Sequence, residues 1–197
     1  MDKLLCSTRL VIRLIEEQDL PKRVEWINDP LVQANLNFGY YPVSLARTKQ
    51  WFQRVLKDET RRDFSIFTTS GEYIGFCGFT DISWRHRKAE RYTIIGERSF
   101  WRQGLGTEVI QLMETYGFEE LGLNKIYSHH ATHNEGVHRI MEKLGYRTVG
   151  LVRDDLFVHG HYQDRYLCEL LREDWLRRKQ DEAEAEADVA DESADPT

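Results

Sequence analysis

The stretch Phe100-Trp101-Arg102-Gln103-Gly104-Leu105-Gly106-Thr107-Glu108 decides the reading of this chain. It follows a strand-like run over residues 89–96 and opens a helical one that continues to residue 121. Two glycines at a strand-to-helix junction let backbone approach a ligand without obstruction by Cβ. The unpaired amides of the first helical turn then make an anion site, reinforced by the helix dipole. Such a junction suits a pyrophosphate. Two familiar phosphate loops are excluded. The chain has no G-x-x-x-x-G-K-[ST] run, and Val109 stands where a dinucleotide fingerprint needs its third glycine.

Outward from the junction, strand and helix patterns follow one another. Residues 10–15 alternate apolar and polar side chains as a strand, whereas 19–28 and 45–57 read as helices around an aromatic loop at 38–42. Residues 64–68 and 73–81 predict a hairpin about Ser70-Gly71-Glu72. The next strand spans 91–95, and the helix 104–121 ends at Gly122. Residues 125–131 form a strand, 135–144 a helix capped by Asn134 and closed by Gly145, and 146–158 with 162–170 a last hairpin. The order predicts an α+β domain with a mixed sheet.

At 197 residues the chain suits one domain with a sizeable core, expected over residues 1–180. Residues 181–197 carry eight acids and neither Lys nor Arg, a low-complexity stretch expected to be a disordered acidic tail or frayed helix. The net charge of -6 comes from this tail, and the remainder is too weakly basic to indicate nucleic acid. No apolar run approaches the roughly 18 residues of a membrane span, and the first six residues lack the apolar core of a signal peptide. Cys6, Cys77 and Cys168 show neither metal nor redox spacing. A cytoplasmic protein without membrane attachment is the expectation.

The ordered motifs resemble the GNAT acetyltransferases, and within them the RimJ/RimL-like branch. That family's acetyl-CoA loop, [QR]-x-x-G-x-[GA], is matched by Trp101-Arg102-Gln103-Gly104-Leu105-Gly106, with Trp101 departing from Gln or Arg. Further matches are Ile74-Gly75 with Gly78, Asp81-Ile82 with 85–90, Asn134-Glu135, Lys143-Leu144-Gly145-Tyr146, Gly160 to Asp164, and Leu170 to Trp175. The resemblance implies a GNAT fold: a mixed, mostly antiparallel sheet splayed at its fourth strand and flanked by helices. It also implies an acetyl-CoA-dependent N-acetyltransferase. The backbone of Ile94, Ile95 and Gly96 would then hold the pantetheine arm, with Arg102, Gln103, Gly104, Leu105, Gly106 and Thr107 on the pyrophosphate. Asn134 would bind the pantetheine amide as well as cap its helix. Transfer is expected to be direct, in a ternary complex, since no cysteine is placed to form an acetyl-enzyme, and the expected partners extend to a homodimer.

Acetyl transfer needs a base for the amine proton, and Glu90 holds the family position for it; a carboxylate drawn partly from water suits that task near neutrality. The bland alternative is a salt bridge to Arg87, Lys88 or Arg91. Polyamine-type relatives place a tyrosine six or seven residues after the capping asparagine to protonate the leaving thiolate. Met141 occupies that slot here, and a thioether donates no proton. Coenzyme A would then leave as thiolate, or His138 or Tyr146 would approach. The missing tyrosine leaves open a non-catalytic acyl-CoA-binding module. Arg139 and Lys143 read as solvated charges. His129 and His130 face opposite sides of a strand, so with His133 they do not make one metal centre, and no metal is expected. The acceptor pocket is expected from Tyr40, Tyr41, Trp84 and His86, beside Trp26, Asn35 and Phe38, which also suit core packing. The segment Gly39-Tyr40-Tyr41-Pro42 lacks the acids of polyamine enzymes, which favours a ring or neutral polar body. The acceptor is a small amine, such as an amino sugar or polyamine, or a protein N-terminal α-amine.

Overall fold

In the computed structural model, which describes residues 5–34, 42–158 and 160–192, each apolar pattern has become a strand or helix close to its expected place. The order is β1 (Leu5–Cys6), β2 (Leu10–Leu14), α1 (Leu20–Asn28), α2 (Pro30–Gln33), α3 (Leu45–Val55), β3 (Arg62–Thr68), β4 (Tyr73–Ser83) and β5 (Lys88–Ile95). Then come α4 (Leu105–Thr115), β6 (Lys125–Ala131), α5 (Glu135–Lys143), β7 (Arg147–Val158), β8 (His161–Leu171) and α6 (Arg172–Glu192). The expected aromatic loop, with Asn35, Phe38, Tyr40 and Tyr41, lies outside the described residues.

The strands form one sheet in the order β1-β2-β3-β4-β5-β6-β8-β7. Neighbours are antiparallel except β5 and β6, which run parallel and pair only through Lys88↔Lys125, Ala89↔Ile126 and Glu90↔Tyr127. Beyond Glu90, β5 remains on β4 as far as Ile95, while β6 remains on β8 as far as Ala131. The sheet is thus splayed at β5, the fourth strand when the two-residue β1 is not counted.

The main core lies where α4 presses Val109, Ile110 and Met113 toward Phe64, Phe79 and Ile126 of the sheet. A smaller cluster on α1 and β4 joins Trp26, Ile27, Val32 and Phe76. Trp26 lies so close to Gly96 that a Cβ there would stand 2.1 Å from the indole. Glycine at 96 therefore lets α1 dock on the end of β5.

Two boundaries differ from the sequence expectation. The helix 104–121 is α only to Thr115, and Tyr116–Glu120 winds as a π-helix. Gly117 sits there against Phe79 and Ile126, each 2.9 Å from where a Cβ would stand, so the wider turn accompanies a close approach to the sheet. The acidic segment from 181, expected as a disordered tail or frayed helix, continues α6 to Glu192. Alanine and glutamate are strong helix formers, and the helix is anchored before them. Trp175 is buried, and Arg178 bonds both the buried Glu114 of α4 and the Leu144 carbonyl. Among the described residues, no helix is long and apolar enough to cross a membrane.

A chain ending at Lys179 keeps this anchor, so its unfolding free energy in urea should stay within about 0.5 kcal/mol of the full chain. Arg178→Met leaves Glu114 buried without its cation and should cost about 3 kcal/mol. Burial already raises the Glu114 pKa against the pull of Arg178. The loss should therefore shrink at low pH, where that carboxyl takes up a proton.

Candidate active site

A cavity of about 680 Å³ opens through the sheet where β5 and β6 part. Strand alternation divides its two sides. Tyr92 and Ile94 pack with Trp26 and Phe76 on the α1 face, and Glu90 shares their parity. Arg91 faces the other way, with its Nη2 3.6 Å from the Met141 sulfur of α5 and its Nη1 3.0 Å from Thr93 Oγ1. Both sides line the same cavity.

The glycine loop borders the α4 side. Arg102 (φ 60°) and Gly104 (φ 77°) adopt left-handed backbone, which brings the chain sharply into α4. Gly104 is the N-cap and gives no side-chain cap, so the first-turn amides of Leu105, Gly106 and Thr107 remain open to a ligand. A Cβ at Gly106 would meet nothing within 4 Å, which leaves room for a phosphate against the backbone. Arg9 braces the loop from β2's side, donating to Glu108 Oε2 at 2.7 Å and to the Gln103 carbonyl at 3.0 Å. This donor set fits the pyrophosphate of a coenzyme.

Two expected cofactor residues are displaced. The Gln103 side chain turns back to the Ser99 carbonyl at 2.7 Å and does not line the cavity. The Gly96 N–H is spent on the Ile74 carbonyl at 2.9 Å, and Trp26 fills the space beside its Cα. Gly96 serves helix docking instead. Alternation from Gly96 turns the Ile95 N–H toward the cleft, while the Ile95 carbonyl accepts from Trp101 Nε1 at 2.7 Å. Ile94 and Ile95, Arg102, Gly104 to Thr107 and Asn134 all border the cavity. Asn134 caps α5 through Val137 N–H at 3.2 Å, as its spacing predicts.

Glu90 makes none of the expected salt bridges to Arg87, Lys88 or Arg91 among the contacts described. Its Oε1 lies 2.8 Å from Nδ1 of His129 on β6, and both residues border the cavity. Sequence spacing could not bring them together, because 39 residues separate them and only the β5–β6 contact joins their strands. His130 faces the opposite side, as alternation requires, and meets His138 at 3.1 Å. Burial and the neighbouring His138 push His130 down from 6.5 to about 4. Cys168 joins these two histidines within 4.8 Å, since β8 pairs Cys168 with Ser128. Sequence spacing gives no sign of this approach, which comes from strand pairing. His130 Nε2 and His138 Nδ1 are spent on each other, while His130 Nδ1 has no partner among the described residues.

Neither proposed proton donor for the thiolate reaches the cleft. His138 is held by His130, and Tyr146 is buried in the core with its phenol pKa pushed up by burial. Of the expected acceptor residues, Trp84 is exposed and donates to the Glu59 carbonyl at 3.0 Å. His86 lies in a separate hollow with Arg85, Arg87 and Arg172. The β4–β5 hairpin, with its register shift between Thr80 and Ser83, carries both past the end of the sheet. The α1 side of the cavity is instead formed by Arg23, Val32, Arg61 and Tyr92.

The fold agrees with the comparisons. The family model for the acetyltransferase (GNAT) domain matches residues 9–147, and the chain belongs to that family. It is 27% identical over 175 residues to the uncharacterised N-acetyltransferase p20 of Bacillus licheniformis, covering 87% of this chain and 97% of the relative. It is 25% identical over 174 residues to the spermidine N(1)-acetyltransferase of Vibrio cholerae serotype O1, covering 88% and 99%. The crystal structure of the Vibrio cholerae spermidine N-acetyltransferase with CoA and spermine superposes with a TM-score of 0.81. At 24% identity, over 86% of this chain and 99% of that one, it supports the fold. The protein is an N-acetyltransferase with acetyl-CoA as its donor.

Gly106→Val should leave the melting temperature unchanged, since the new side chain enters open space. Coenzyme A binding, read by calorimetry, should weaken tenfold or more, about 1.4 kcal/mol; unchanged affinity would remove the pyrophosphate from this loop. His130 has a folded pKa below its unfolded one, so the unfolded state binds more protons between pH 6.5 and about 4. Stability should therefore fall as pH drops through that window, and His130→Gln should flatten this limb of a melting-temperature profile.

Proposed function

We propose that this chain, a RimJ/RimL-like GNAT enzyme, moves an acetyl group from acetyl-CoA directly to a primary amine in a ternary complex. The observation that carries the reading is the opposite placement of two neighbours on one strand. Glu90, with His129, stands on the α1 side of the cleft, and Arg91, with Met141, on the α4–α5 side. The amine approaches on the first side and the thioester on the second.

The neutral amine nitrogen attacks the thioester carbon, forming C–N as C–S breaks. The Glu90–His129 pair accepts the amine proton, with the carboxylate holding the imidazole tautomer that can receive it. The Ile95 N–H is positioned to stabilise charge on the carbonyl oxygen. Met141 favours a non-catalytic module, because it removes the usual proton donor. Arg91 answers that objection. Its guanidinium touches Met141, borders the cavity and keeps its Nε without a partner among the described residues. Sulfur can leave as a thiolate facing a fixed cation and take its proton from water later.

The acceptor is a small amine or a protein N-terminal α-amine, and the spermidine enzymes among the relatives make polyamines one option. The free cysteines fit a cytoplasmic setting. A dodecamer is recorded for the Vibrio cholerae enzyme, at 25% identity, and supports a homo-oligomer, the expected dimer included.

Thiol release from acetyl-CoA against a panel of amines tests the reading; coenzyme binding without turnover on any amine would favour the non-catalytic module. With an active amine, Glu90→Gln and His129→Asn should each lower the turnover rate roughly 10²–10⁴-fold. The double variant should be little worse than either, as groups acting as a unit are not additive. Higher pH should partly restore the rate. Near-normal turnover in both variants would retire the pair and leave the proton to water.

A further inference from the structure

One of the arginines beneath the α1 side of the cavity lacks an acid within ion-pair reach among the described residues. Arg13 is matched by Asp19, through bonds of 2.8 and 2.6 Å, and Asp19 is further occupied by Ser65. Arg61 is matched by Asp63 at 3.1 and 2.9 Å, and Asp63 also accepts from the Tyr92 hydroxyl. Arg23, on α1, pairs with no acid among the described residues. It is 6% exposed, and its Nη1 is fully buried without a hydrogen-bond partner among the described residues. Its guanidinium lies 3.7 Å from the Phe76 ring centre and 4.5 Å from that of Trp51. Rings attract a cation but cannot take its N–H bonds. Residues 35–41 add no charged side chain.

A buried cation left without an anion or an acceptor is costly, so such a group marks a place completed by something else. Arg23 borders the cavity on the same side of the sheet as Glu90 and Tyr92. The open amides of the coenzyme loop belong to the first turn of α4. We infer that Arg23 binds an anionic group, carboxylate or phosphate, carried by the acceptor amine. The acceptor is then a small zwitterion, with its amine toward Glu90 and His129 and its anion on the guanidinium. A polyamine would bring a second ammonium toward an uncompensated arginine. This inference rests on the acetyltransferase reading and sets its acceptor class apart from that of the spermidine enzymes.

The test measures kcat/KM for ω-amino acids of graded length, glycine through aminohexanoate, for their carboxamides, for phosphoethanolamine and for spermidine. In the native protein at least one carboxylate or phosphate acceptor should exceed its uncharged counterpart (the matching carboxamide, or ethanolamine) about tenfold or more. Arg23→Met should bring that ratio close to one, and Arg23→Lys should keep part of it. Coenzyme affinity serves as the check that both variants fold. Equal use of carboxylate and carboxamide by the native protein, or preference for spermidine, overturns the inference without touching the acetyltransferase reading. So does a ratio that survives in Arg23→Met. If none of these amines turns over, the acetyltransferase reading is decided by the wider amine panel described above. Calorimetry with the same acids and carboxamides, coenzyme A present, then decides the Arg23 site alone: tighter binding of an acid, lost in Arg23→Met, upholds it, and equal binding overturns it.

Discussion

Three residue pairs between β5 and β6 hold the two halves of the sheet together, and the rest of the site depends on their stopping at Glu90. A longer contact would close the sheet and leave the Ile95 N–H paired. A shorter one would release the strands that hold Glu90 against His129. Each half is secured elsewhere, β5 by its long antiparallel register on β4 and β6 by its register on β8. The cleft is therefore a gap between rigid walls rather than a flexible opening, which is what positioning of two reactants requires.

The walls are locked by contacts distant in sequence. Arg9 reaches Gln103 and Glu108, so β2's approach shapes the phosphate loop. Trp26 covers Gly96, and Trp101 grips the Ile95 carbonyl, so α1 and the loop meet at the end of β5. The loop's anion-binding geometry thus stands ready before any ligand arrives, and binding has less ordering to do.

Much of this was legible in the sequence. The glycine junction, the helix capped by Asn134 and the strand 125–131 stand where local signals put them, because caps, glycines and alternation act within a few residues. The acceptor side was not legible. Trp84 and His86 seemed well placed until the hairpin bulge carried them away from the cleft. Arg23, Arg61 and His129 look like ordinary surface or strand residues in sequence. Their roles come from pairing between α1, β3, β5 and β6, which no local pattern reports. For the acidic segment after 181 composition left two outcomes open, a disordered tail or a helix, for a related reason. Its composition buries nothing, yet the anchor at Arg178 and Glu114 starts a helix that alanine and glutamate then continue.

The division of labour proposed for Glu90 and Arg91 constrains how this chain can vary. Neighbours on a strand face opposite sides, and a slip of one residue exchanges every inward group for an outward one. An inserted or deleted residue in β5 would send the carboxylate toward the sulfur and the guanidinium toward the amine. The residue count of this strand is therefore constrained as tightly as the identities of Glu90 and Arg91 themselves.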